Sequence, residues 1–152
     1  MLSVASLRTT ARLAGKSSAL FAARGACAHQ VCWGSTLVLS DPLTPDGHTP
    51  PPTQSAITAA AKLGGDSIEL LVVGDAPPTK IPAGVSKVYF AAAPRAAAET
   101  VASTLQATSG AGSYDYVVGT SSKFGATVIP RVAALLGVSP VTDIIEILEP
   151  GT

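Results

Sequence analysis

Two short runs place hydroxyl and carboxylate groups directly after apolar segments: Ser40-Asp41 after STLVL, and Gly119-Thr120-Ser121-Ser122 after YDYVV. Backbone N–H groups and hydroxyls at the start of a helix suit a phosphate. If both runs sit at the carboxyl ends of adjacent strands, they line the crevice where open α/β sheets bind ligands. The sequence has no phosphate-cradling P-loop and no G-x-G-x-x-G, and Lys123 is the one basic residue close by. Helix caps and strand-end turns call on the same residue types, so the six residues also read as ordinary terminators.

Other chemistry is sparse. Ser121 and Ser122 lack the elbow motif of a serine nucleophile, and His48 lies among prolines without a second metal-type ligand at useful spacing, so it reads as solvated. Cys27 and Cys32, with His29 between them, have the residue types of a redox pair or half a metal site. Both fall in the amino-terminal segment read below as a leader, and no cysteine follows residue 34, so no disulfide is expected beyond it. Asp41, Asp115 and Asp143 are scattered, and their spacing does not pair carboxylates for acid–base work. Asp143 reads as structural, at the start of a strand. No catalytic residue and no metal ligand emerges, and the chain is not expected to be an enzyme.

The elements that would position the crevice follow a repeating pattern. Strands are predicted over 35–39, 68–73, 86–91, 114–119 and 143–148, each an apolar, β-prone run closed by Gly, Pro or Asp. IELLVV is nearly continuous in apolar residues, as a strand covered on both faces requires. Helices are predicted over 54–63, capped by Thr53 and closed by Gly64-Gly65, and over 94–108, with Pro94 in the first turn, Ala97, Val101 and Leu105 on one stripe and Gly110 beyond the end. A third helix ends near Leu136, with Gly137 as a left-handed stop. Pro130 within it implies either a kink or a start near Ile129. Apolar spacing puts Val128, Val132 and Leu135 on a covered surface without separating core from interface. Alternating strands and helices joined by short turns argue for a doubly wound α/β domain with a mostly parallel sheet.

The 47% hydrophobic content supports a folded core, while charged residues reach only 13%. No stretch is long and apolar enough to span a bilayer. A formal charge of zero hides an asymmetry. Residues 1–40 carry Arg8, Arg12, Lys16 and Arg24 and no acid, leaving six basic against ten acidic residues in 41–152, a formal charge of −4. That acidic remainder gives no electrostatic reason to bind nucleic acid. Arginines spaced by about one helical turn, serines, leucines and no acid are the composition of a mitochondrial import leader over residues 1–34, cleaved between Arg24 and Ser35. As a helix it would stack Arg8, Arg12 and Lys16 on one face.

Two stretches are similar to the electron transfer flavoprotein α subunit. One is STLVLSD with the following TQSAITAAAKLGG. The other is YDYVVGTSSKFGATVIPRVAALLGVSPVTDI, with Phe124-Gly125, Pro130-Arg131-Val132-Ala133-Ala134 and Thr142-Asp143-Ile144 at the family's motif positions. The family commonly has lysine where Ala126 stands here, and the 74–84 connection looks short, so no charged contact is carried over there. The resemblance implies an adenine nucleotide α-hydrolase-like sheet of five or more strands in the order 3-2-1-4-5, over residues 35–152. It further implies a heterodimer with a β subunit in the mitochondrial matrix, shuttling electrons from acyl-CoA dehydrogenases to a membrane quinone reductase on FAD. In the family the FAD is held by the carboxy-terminal domain of α and by β, so no FAD ligand is carried over and this segment is expected to hold none alone. Its expected part is assembly scaffold. The alternatives are a free-standing adenine-nucleotide-binding module, in which Ser40, Asp41, Gly119, Thr120, Ser121 and Ser122 line the site, or a structural subunit of a larger mitochondrial complex.

Overall fold

The β-branched and leucine-rich runs of this chain form its strands. The computed structural model describes residues 2–6, 35–63, 67–93, 97–112 and 114–148. Arg8, Arg12, Lys16, Arg24, Cys27, Cys32, Gly64-Gly65 and Pro94 lie outside the described residues. The strands are β1 (Leu2–Ser6), β2 (Ser35–Leu39), β3 (Ile68–Gly74), β4 (Lys87–Ala92), β5 (Tyr114–Thr120) and β6 (Pro140–Ile144), and the helices are α1 (Pro51–Lys62), α2 (Ala98–Ala111) and α3 (Lys123–Leu136). They build one sheet in the order β4-β3-β2-β5-β1-β6. The first four in that order are parallel, with Val38 level with Leu70 on one side and with Val118 on the other.

The alternation of side chains along each strand divides the core into two layers. Leu37, Leu39, Leu71, Val73 and Val117 meet Val101 and Leu105 of α2 and Val128, Ile129 and Val132 of α3. Val38, Leu70, Val72 and Val118 face the other way, onto Ala56, Ile57 and Ala60 of α1. Helices on both faces cover the parallel strands, as such sheets require. Because β3 and β4 extend from β2 in one direction and β5 lies on its other side, the winding reverses between β2 and β5.

Several expectations need correction. The fifth predicted strand, over 143–148, is instead Pro140–Ile144, and it does not adjoin β5, because β1 lies between them. Asp143 is not at its start. It adopts φ 59 near the end, where the register with β1 shifts. A bulge there bends the strand, and aspartate tolerates the left-handed conformation better than most residues. Beyond it Ile147 packs on the α1 layer, while Ile145 and Leu148 are exposed. Leu2–Ser6, within the segment read from sequence as a leader and given no strand there, pairs antiparallel with both β5 and β6.

Helix ends moved as well. Pro51 and Pro52 begin α1, where their fixed φ suits a helix and their missing N–H groups would have had no helical partner. Thr53 therefore sits inside the first turn, not at the cap. Helix α2 starts after Ala97, which is exposed and off the stripe, and it runs through Gly110. Helix α3 spans Pro130 without interruption and ends at Gly137, φ 68, in the left-handed stop expected of it. Val128 and Val132 are core, whereas Leu135 is half exposed.

Two polar groups in the sheet yield predictions. The Thr36 hydroxyl is buried without a hydrogen-bond partner among the described residues. An unsatisfied buried hydroxyl is destabilising, so Thr36→Val, of nearly the same shape, should raise stability by about 1 kcal/mol. Thermal denaturation should show a midpoint about 4 °C higher.

At the amino-terminal end of the strands, the Tyr114 phenol donates to Glu69 and lies 3.4 Å from the Tyr89 hydroxyl. Burial first, and then the bond to Glu69, push the Tyr114 phenol well above its usual range. A phenol raised on folding adds stability that is fully present below its unfolded pKa of ~10 and is lost as pH rises beyond it. Tyr114→Phe should therefore cost about 1 kcal/mol at neutral pH and flatten the loss of stability between pH ~8 and ~11, measured by urea denaturation.

Candidate functional site

The reversal of winding places the end of β2 beside the end of β5 and the start of α3. Ser40 continues the ladder through its N–H to Leu71 O at 2.9 Å, and its hydroxyl donates to Asp41 O at 2.8 Å. Asp41 N–H donates to Thr53 Oγ1 at 3.1 Å, tying strand β2 to the first turn of α1. Asp41 Oδ1 accepts from both Thr120 Oγ1 and Ser122 Oγ, each at 2.6 Å, and these two hydroxyl oxygens are 2.9 Å apart. Ser122 is the N-cap of α3 and accepts from Gly125 N–H at 3.0 Å. Ser40, Asp41, Thr53 and Thr120 are all buried.

Each hydroxyl has one proton to give, and those of Thr120 and Ser122 both go to Asp41. The carboxylate thus stands at the positive end of α3, where an incoming anion would otherwise bind. Short hydrogen bonds to a carboxylate are strong, and the arrangement engages these hydroxyl donors within the chain itself. Among the described residues no basic side chain forms an ion pair with Asp41, and Lys123 is exposed. The ion pair that is formed joins Arg131 of α3 to Glu99 of α2 on the surface.

Of the six residues named from sequence, Ser40, Asp41, Thr120 and Ser122 converge. Ser121 is exposed and outside the network. Gly119 is buried for a packing reason, since a Cβ there would come within 2.5 Å of the Ile129 side chain. Asp115 lies at the opposite end of β5 from Thr120, and Asp143 is exposed in the bulge, so the three aspartates do not meet. His48 is exposed, with Nδ1 3.1 Å from Asp46 O. Among the described residues no cluster of His, Cys, Asp and Glu could hold a metal ion.

Sequence reasoning missed two members of the crevice. Thr53 was hidden by its resemblance to a cap. Gly125 allows the first turn of α3 to press against the end of β5: a Cβ would lie 2.1 Å from Thr120 O. The available signal was a glycine inside a helix, which costs stability unless another backbone comes close.

Within the crevice the side-chain hydroxyl donors are already engaged. A pyrophosphate needs free donors or cations, and here a carboxylate holds the hydroxyl donors. Two open cavities among the described residues lie outside that hydrogen-bond network. One of about 300 Å³ is bordered by Leu43, Thr44, Val73, Gly74 and Asp75, with an acid but no base. The other, about 440 Å³, lies between α1 and the 80–83 loop, lined by His48, Gln54, Ile57, Lys80 and Ile81.

The sequence model of the electron transfer flavoprotein domain matches residues 42–152. The chain belongs to the electron transfer flavoprotein family. It is 36% identical over 126 residues to the mitochondrial electron transfer flavoprotein subunit alpha of Arabidopsis thaliana, covering 75% of this chain and 34% of that protein. The subunit of the same name from Oryza sativa subsp. japonica is 36% identical over 129 residues, covering 76% and 36%. The probable mitochondrial subunit alpha of Caenorhabditis elegans is 38% identical over 106 residues, covering 64% and 31%. The chain spans about a third of the length of these relatives. No solved structure matches. The family motif residues take structural places: Phe124 packs on the core, Gly125 seats α3 on β5, and Arg131 pairs with Glu99. Ala126, where the family commonly has lysine, is exposed.

Proposed function

We propose that this chain serves a mitochondrial electron transfer flavoprotein as the amino-terminal scaffold domain of its α subunit. Residues 1–34 act as the import leader and residues 35–152 as the scaffold. The domain docks a β subunit and helps hold a flavin-binding domain, supplied by the same or a separate polypeptide. The assembled protein carries electrons on FAD from matrix acyl-CoA dehydrogenases to a membrane quinone reductase. In this reading the domain performs no catalysis of its own.

The observation that carries the reading is the family match over 42–152, joined to a crevice whose donors are already engaged by Asp41. The same carboxylate argues against a free-standing nucleotide binder, because it would repel a phosphate from the start of α3. The 152-residue chain, purified alone, is expected to be colourless and to release no heat with AMP or ATP. Mixed with a family β subunit it is expected to elute as a one-to-one complex. A yellow, reducible product with one flavin per chain, or failure to associate with β, would overturn the scaffold role.

A further inference from the structure

We infer that the cavity between α1 and the 80–83 loop is a binding site for a small hydroxy monocarboxylate, its carboxylate and hydroxyl carried on a short aliphatic tail. The volume, about 440 Å³, falls within the range of small-molecule sites, about 300–1,000 Å³. The ligand class follows from what the lining can donate, accept and cover.

Among the described residues that line the cavity, Lys80 carries the fixed positive charge and none is acidic. Among the described residues Lys80 makes no ion pair. Its ammonium is therefore open to an anion from solvent, and one charge matches a monocarboxylate better than a phosphate monoester bearing nearly two. The acceptors face a different need. His48 Nδ1 lies 3.1 Å from Asp46 O, and a carbonyl can only accept, so Nδ1 carries the proton and Nε2 of the neutral ring offers a lone pair. The Thr58 hydroxyl gives its proton to Gln54 O at 3.0 Å and also keeps only lone pairs. An anion alone would leave these acceptors unmatched, whereas a ligand hydroxyl can donate to one of them. Gln54, one turn before Thr58, adds a side-chain amide with both functions. The rest of the lining is apolar: Ile57 is buried, and Ile81 stands 60% exposed beside it. An aliphatic tail laid there leaves water.

The walls are built before any ligand arrives. Thr44 N–H donates to His48 O at 3.0 Å and His48 N–H to Thr44 Oγ1 at 3.1 Å, which closes the loop that carries the imidazole. Thr79 N–H donates to Gly47 O at 2.9 Å and its hydroxyl to Asp46 O at 3.3 Å, fastening the entry of the 80–83 loop to the same turn. Gly47, φ 75, is required there, since a Cβ would lie 2.2 Å from Thr79 Oγ1. A site already held in shape loses little freedom on binding.

Amide chemical shifts of the full chain, followed during titration with α-hydroxycaproate, test the assignment. Saturable shifts at residues 48–58 and 80–83 are expected, half-complete below about 5 mM. Caproate, which lacks the hydroxyl, and inorganic phosphate, which lacks the tail, are each expected to bind at least about fivefold more weakly. Lys80→Gln should weaken α-hydroxycaproate at least about tenfold, and Ile81→Ser at least about threefold, both at exposed positions that leave the fold intact. No saturation below about 5 mM, or shifts centred elsewhere, would overturn the site. Binding undiminished in Lys80→Gln would overturn it too, and phosphate or caproate binding as tightly as α-hydroxycaproate would overturn the ligand class.

Discussion

Gly125→Ala is expected to destabilise the domain by about 3 kcal/mol, although alanine is the better helix former. In an unconstrained helix interior the exchange would gain about 1 kcal/mol. Here the added carbon would lie 2.1 Å from the Thr120 carbonyl oxygen and 2.8 Å from its hydroxyl, and the first of these is backbone that cannot swing aside. Relief requires α3 to lift from β5, which opens the layer formed by Val117, Val128 and Ile129. Overpacking of this kind outweighs the propensity gain. Urea denaturation should show a lower midpoint with an unchanged slope, and Ala126→Gly, at the exposed neighbour, should lose only the propensity difference of about 1 kcal/mol.

Asp41→Ala should cost a similar amount, about 3 kcal/mol, for a different reason. It removes the shared acceptor of the Thr120 and Ser122 hydroxyls, each donating at 2.6 Å, and since the two can satisfy only one donor between them, the other is left unmatched. Leaving donors unsatisfied is worth more than the net value of the bonds themselves. Asp41→Asn keeps one acceptor oxygen and should lose only about 1 kcal/mol. If alanine and asparagine proved equal, the hydroxyls would have found other partners and the network would not be holding the three elements together. The bond from Asp41 N–H to Thr53 uses the backbone and should survive both changes.

The parallel strands were legible because continuous apolar runs such as IELLVV leave few other ways to bury their surface. Their ends shifted by a residue or so, as at Lys87, where hydrogen bonding rather than composition sets the limit. Helix starts were harder. Thr53 has the chemistry of a cap, but two prolines before it open the helix earlier and turn its hydroxyl toward Asp41. The core role of Val128 and Val132 and the exposure of Leu135 depend on how α3 is rotated against the sheet, which spacing alone does not report. Leu2–Ser6 was illegible as a strand because its partners are more than a hundred residues away and its neighbours carry a leader's composition. The crevice was half visible: residue types named Asp41, Thr120 and Ser122, but only geometry shows that the acid takes the hydroxyls for itself.

Asp41 and Thr120 stand 79 residues apart in the chain. Closing so long a loop is slow, and a bond of that span forms after local helices and nearest strand pairs have assembled. The carboxylate is therefore expected to act as a late-closing latch, made after the folding barrier is passed. The stability lost in Asp41→Ala should appear as unfolding faster by about a hundredfold, with refolding nearly unchanged. On that expectation Asp41 bears on the lifetime of the folded domain more than on its rate of formation.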